Sequence, residues 1–229
     1  MTKIKICGVR RVEDAYIMNA CRPDYVGFVL TPSKRRVSVD EAALLADILA
    51  PEILRVGVFA KESPEEIASA ARRVPLDGIQ LHMDIDDAFL DRLVELLVAD
   101  SKEKRPFIWL RISIPSDAVD SREIRKSRVG TVNPRRGDAI LLDTRAGSRD
   151  GGTGIRFPAA PALAFLQEED LVHLPVVLAG GLNVDNVEEA IRCFQPAIVD
   201  VSGGVETNGV KDPSLVLHFI ESVRKVGRS

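Results

Sequence analysis

"KIKICGVRRVED", residues 3–14, is the stretch that decides the fold. Its apolar-alternating first half is a β-strand pattern, and it ends at Cys7-Gly8 with the cationic Arg10 and Arg11 close behind. Two α/β architectures compete for a chain that begins this way. An open, doubly wound sheet usually carries a glycine fingerprint in the turn after its first strand, whereas only Gly8 stands in this one. A (β/α)₈ barrel needs no such fingerprint. The same stretch poses a second question, because a buried strand has no need of a thiol at its last position: Cys7 is either packing or chemistry.

Working outward, seven more β-type runs follow: YVGFVL (25–30), RVGVF (55–59), GIQLH (78–82), FIWLRIS (107–113), AILLDT (139–144), VVLAGG (176–181) and AIVDVSGG (197–204). They are apolar at nearly every position, as strands covered on both faces of a parallel sheet must be. Helix start signals lie between them. Ser63-Pro64-Glu65-Glu66 is a capping box with proline at the first helical position, Ser38 and Glu41 form another, and Asp212-Pro213 opens the last helix. A helical spacing of Phe89, Leu90, Leu93, Val94 and Leu97 predicts a helix over 84–98. The least helix-like units are the fifth, with the very polar SREIRKSRV, and the sixth, with two prolines near the start of PAAPALAFLQEED. Eight strands each followed by a helix-compatible segment predict one (β/α)₈ TIM barrel domain over residues 1–229, slightly below the typical length of about 250.

Composition narrows the function classes. Hydrophobic residues make up 45% and charged residues 28%, with a net charge of −3, so no basic stripe recommends nucleic acid or an anionic membrane as a partner. No apolar run reaches the ~18 residues of a membrane span, and residues 1–10 lack the apolar core of a signal peptide. Cys7, Cys21 and Cys193 are odd in number and widely spaced, which argues against a disulfide framework or a zinc cluster and for a reduced, cytoplasmic protein. His82, His173 and His218 stand at no HxH or HExxH spacing, so a histidine-built metal site is not expected.

In such a barrel, function sits at the C-terminal ends of the strands. Those positions hold Cys7-Gly8, Thr31 to Arg36, His82, Asp143, Gly180-Gly181 and Ser202-Gly203-Gly204. In "LAGGLNVDNV" two glycines precede a helix with Asn183 as its expected cap, and "VDVSGGVE" follows the eighth strand with a serine and two glycines. Glycines let backbone N–H groups approach an anion, and phosphate sites in these barrels commonly follow strands 7 and 8. The plainer reading is tight turns. Asp143 either caps loop backbone or acts as an acid at the barrel mouth, where desolvation favours the protonated carboxyl. Its neighbours Gly147, Gly151, Gly152 and Gly154 suit a lid. Lys34, Arg35 and Arg36 are either a solvated rim or a bidentate grip on a carboxylate.

Taken in order, "KICGV", "GFVL…SKRR", "RVGVF", "QLH", "LLDT…GGTG", "LAGGLN" and "VDVSGGVE…KD" resemble the phosphoribosylanthranilate isomerase family of tryptophan biosynthesis, over residues 3 to about 212. The resemblance implies a cofactor-free Amadori rearrangement of a phosphoribosyl substrate, with Cys7 as general base and Asp143 as general acid. It also implies that Arg35 (with Arg36 as the neighbouring candidate), His82 and Asp200 contact substrate, and that Gly180, Gly181, Ser202 and Gly203 grip its phosphate. It implies no metal and a monomer or homodimer. The chain departs from the family pattern at Met83 after QLH, at Phe157 where an acid and a tryptophan usually follow, at Ser202-Gly203 where two serines are usual, and in the long polar stretch 113–138. A related phosphosugar isomerase, or a barrel that binds a phosphoribosyl ligand without turning it over, would share the phosphate loops.

Overall fold

The computed structural model describes residues 1–100, 105–127, 131–145 and 158–227. All eight expected strands form: β1 (Lys3–Cys7), β2 (Tyr25–Val29), β3 (Leu54–Phe59), β4 (Gly78–Leu81), β5 (Phe107–Pro115), β6 (Ala139–Arg145), β7 (Val176–Ala179) and β8 (Ile198–Val201). They are hydrogen-bonded in chain order into a closed barrel, which excludes the open doubly wound sheet. Strands β2 to β5 and β6 to β8 pair in parallel register: Val56 lies opposite Gly27 and Gly78, Gly78 opposite Phe107, and Leu178 opposite Leu142 and Val199. Between the strands run α1 (Val12–Cys21), α2 (Val39–Ile48), α3 (Pro64–Arg73), α4 (Asp87–Asp100), α5 (Ser121–Ser127), α6 (Ala159–Glu168), α7 (Val187–Phe194) and α8 (Pro213–Val226). No helix among the described residues is long and apolar enough to cross a membrane. A further hairpin, β9 (Glu206–Thr207) with β10 (Val210–Lys211), lies between β8 and α8.

Local chemistry explains where three of the helices start. Ser38 accepts the N–H of Glu41 at 3.2 Å while the Glu41 carboxylate accepts the N–H of Ser38 at 2.7 Å, and Ser63 and Glu66 repeat the exchange. The N–H of Ser38, and then its hydroxyl, hold the Glu41 carboxyl below its usual range; Ser63 does the same for Glu66. Asp212 caps α8 by accepting the N–H groups of Ser214 and Leu215. Two expectations shift. The helix after β4 begins at Asp87 rather than 84, and Asn183 is not the cap of α7. Its side chain instead accepts the N–H groups of Asp185 and Asn186, closing a turn that delays the helix to Val187. The polar α5 forms because it is tied to α6: Ser121 donates to Glu168 at 2.8 Å, and Arg125 reaches Glu168 at 3.1 Å and Glu169 at 2.8 Å. Pro161 sits in the first turn of α6, where its missing N–H has no intrahelical partner to lose.

The chain is organised in two compact units. The first comprises Met1–Lys5, Arg111–Val129 and Ala139–Ser229, and the second Ile6–Leu110 and Gly130–Asp138. In the second unit Tyr25 meets Phe107 and Trp109 edge-on, with ring centroids 6.0 and 5.4 Å away, and the latter two stack at 5.1 Å. Gly78 makes room for this plug, since a Cβ there would lie 1.9 Å from the Phe107 ring. In the first unit, Lys5 is 0% exposed and donates to Asp200 at 2.8 Å. A buried ammonium is tolerable only because that carboxylate meets it.

Candidate active site

In the second unit, Cys7 ends β1 and is 8% exposed, in a buried cluster with Val29 of β2 and Val58 of β3. The turn beyond it is fixed by the N–H groups of Gly8 and Val9, both donating to the carbonyl of Gly27. The segment after β2 folds back so that Val37 donates to Val29 and Arg36 bridges it. That commits the backbone of Arg36, whose side chain, like that of Lys34, is exposed; Arg35 between them is half-buried. Thr31 is buried, and its hydroxyl is without a hydrogen-bond partner among the described residues. His82 follows β4 half-buried, its N–H donating to the Phe59 carbonyl at 2.7 Å, with Met83 half-buried beside it.

The first unit brings the remaining candidates onto three consecutive strands. Asp143, half-buried in β6, lies opposite Ala179 of β7, and Gly180-Gly181 follow at once. Gly180 has φ +92°, and a Cβ there would lie 2.4 Å from the Thr144 carbonyl oxygen and 2.6 Å from its nitrogen. Glycine is thus required twice over, by the left-handed backbone and by the approach of the β6 backbone next to Asp143. Ser202 and Gly203 follow β8. The loops after β7 and β8 touch through the bridge between Asn183 and Gly204, where a Cβ on Gly204 would meet the Leu182 carbonyl oxygen at 1.9 Å. Gly204→Ala is expected to cost on the order of 1–3 kcal/mol as the two loops are forced apart. A urea unfolding curve checks it, and an unchanged midpoint would mean that the loops yield freely.

Asp200 stands in β8 with its Oδ2 taken by Lys5. Lys211 is likewise buried in an ion pair, with Glu206 at 2.9 Å, and donates to the Ser202 carbonyl at 3.0 Å. Neither lysine stands out in the sequence as a site residue, because lysine is almost never fully buried without a partner and the partners lie far along the chain or across a short hairpin. Among the described residues, no group of three or more His, Cys, Asp or Glu is placed to hold a metal ion. The glycines 147, 151, 152 and 154 and Phe157 lie outside the described residues.

Comparisons with known proteins point to one family. Residues 4–222 match the family model described as N-(5'phosphoribosyl)anthranilate (PRA) isomerase. The chain is 39% identical to the N-(5'-phosphoribosyl)anthranilate isomerase of Clostridium acetobutylicum, covering 98% of this chain and 99% of that one. It is 34% identical to the protein of the same name from Listeria innocua, again over 98% and 99%. Among solved structures it is similar to the phosphoribosyl anthranilate isomerase of Thermotoga maritima, with a TM-score of 0.79, 32% identity and coverage of 98% and 100%. A phosphoribosyl anthranilate isomerase crystallised with reduced 1-(o-carboxyphenylamino)-1-deoxyribulose 5-phosphate is similar at a TM-score of 0.75 and 30% identity, with the same coverage.

Proposed function

The chain belongs to the N-(5'-phosphoribosyl)anthranilate isomerase family, and from that premise we propose which of its residues hold the substrate and move its protons. The protein is an isomerase of tryptophan biosynthesis that rearranges N-(5'-phosphoribosyl)anthranilate, an aminoaldose, to the corresponding 1-deoxyribulose 5-phosphate aminoketose. Asp143 gives its proton to the furanose ring oxygen as the anthranilate nitrogen pushes in, and the ring opens to a Schiff base. Cys7, as thiolate, takes the proton from C2′, and the enolamine that results tautomerises to the ketone. One proton enters and one leaves, so the chemistry calls for no cofactor and no metal.

Gly180, Gly181, Ser202 and Gly203 grip the phosphate through backbone N–H groups, as the approach of the two loops at Gly204 favours. Asp200, its carboxylate oriented by Lys5, and His82 contact the rest of the substrate. The anthranilate carboxylate goes to Arg35 rather than Arg36, because Arg35 is half-buried while Arg36 is exposed. A charge-assisted bond of this kind is worth about 1.5–3 kcal/mol, so Arg35→Ala is expected to raise KM roughly 10- to 100-fold with kcat little changed. Steady-state kinetics on both arginine variants check it. A rise confined to Arg36→Ala would reverse the assignment. We further propose that the residues form one barrel domain and that the enzyme works in the cytoplasm as a monomer or homodimer. A dimeric relative from Thermotoga maritima supports the second state.

The observation that carries this reading is the succession of Asp143, Gly180-Gly181 and Ser202-Gly203 along the neighbouring strands β6, β7 and β8. The test is loss of anthranilate fluorescence when purified protein meets freshly made phosphoribosylanthranilate. A protein that binds a reduced product analogue but leaves the fluorescence unchanged would be a binder of the family's ligand and not an isomerase.

A further inference from the structure

We infer that Lys211 and Glu206 are positioning residues for the phosphate grip, holding the Ser202–Gly203 peptide so that its N–H is presented to the anion. The inference rests on the phosphate reading of the loop after β8. Lys211 is 2% exposed, and its ammonium donates to the Ser202 carbonyl at 3.0 Å and to the Glu206 carboxylate at 2.9 Å. Burying an ammonium is costly, so it calls for a reason. The hairpin itself does not supply one. Its turn is already specified by Asn208 and Gly209, both at positive φ (+53° and +76°), the pair that two-residue hairpins favour. Asp212 anchors the other side: Thr207 and the N–H groups of Leu215 and Ser214 hold its carboxyl below the usual range, at the start of α8. The Lys211–Glu206 pair is therefore surplus to the hairpin and points back at the strand-end loop.

The geometry of a peptide says what it does there. The Ser202 carbonyl and the Gly203 N–H belong to one planar trans unit and point in opposite directions. Pinning the oxygen to Lys211 on one side aims the N–H at the other. An ammonium on the carbonyl also polarises the unit and makes that N–H a stronger donor. The next peptide is held too, since the Gly203 carbonyl accepts the N–H of Glu206 at 3.1 Å. Gly204 completes the clamp against the Leu182 carbonyl. Lys211 thus serves the phosphate without touching it, and Glu206 balances its charge.

The experiment is steady-state isomerase kinetics on the full chain, with inorganic phosphate as inhibitor, for the wild type, Lys211→Met and Glu206→Gln, folding being checked by far-UV circular dichroism. Phosphate is expected to compete with substrate in the wild type. Lys211→Met should raise both KM and the phosphate inhibition constant about tenfold, the size expected for losing one charge-assisted bond, with kcat nearly unchanged. Glu206→Gln keeps the lysine on the carbonyl and should give a smaller rise in both. A folded Lys211→Met with an unchanged phosphate constant, or with kcat lowered and KM intact, overturns the inference. If Lys211→Met does not fold, Glu206→Gln decides, and an unchanged phosphate constant there overturns it too. Failure of phosphate to compete in the wild type overturns the phosphate reading itself, a result distinct from competition that the variants leave untouched.

Discussion

Cys7→Ala is expected to lower kcat by roughly 10²–10⁴-fold while KM stays close to that of the wild type, the range a lost general base typically gives. The change is structurally mild. Cys7 is 8% exposed among valines at the end of β1, so exchanging a thiol for a methyl removes one sulfur atom from a small apolar cluster. What it removes chemically is the group proposed to take the C2′ proton. An unperturbed thiol ionises near pH ~8.5, so activity resting on a thiolate should rise with pH until that group is deprotonated. Stopped and continuous fluorescence assays at several pH values measure both effects. Turnover near the wild-type rate would assign Cys7 to packing, the plainer answer to the question its place in the sequence raises.

Asp143→Asn is expected to be as severe, again roughly 10²–10⁴-fold in kcat, for a different reason. Asparagine keeps the shape and the hydrogen-bonding reach of the side chain but has no acidic proton to transfer to the ring oxygen. Because the lost interaction exists only in the transition state, kcat and kcat/KM should fall equally. The variant should still bind a reduced product analogue. A raised KM with intact kcat would make Asp143 a binding residue. Combining it with Cys7→Ala should cost less than the product of the two single losses, since groups that act in one proton-transfer sequence are not additive.

The fold was legible because its signals are local. Apolar runs such as AILLDT and VVLAGG announce strands covered on both faces, and Ser38, Ser63 and Asp212 each make the cap their spacing requires. Where tertiary contacts decide, the sequence is mute. The polar SREIRKS becomes α5 only through its ties to Glu168 and Glu169 of α6. Asn183 spends its side chain on a turn and leaves the helix to begin later. The site divides in the same way. Its candidate residues stand out as chemically selective types at strand ends, but the bond from Lys5 to Asp200 spans 195 positions, and no periodicity signals a lysine bound for the interior. Lys211 was hidden likewise, although its motif was in plain view. Burial distinguishes Arg35 from Arg36, a difference that two adjacent arginines in a charge run do not carry in their spacing.

The aromatic plug has a use of another kind. Trp109 is the chain's single tryptophan, and it stacks on Phe107 wholly within one of the two compact units. Its emission therefore reports the melting of that unit alone, whereas far-UV circular dichroism averages the helices of both. Followed together through a denaturant titration, the two signals become a measure of cooperativity: coincident midpoints mean that the halves unfold as one, and separated midpoints reveal an intermediate in which one half has let go first.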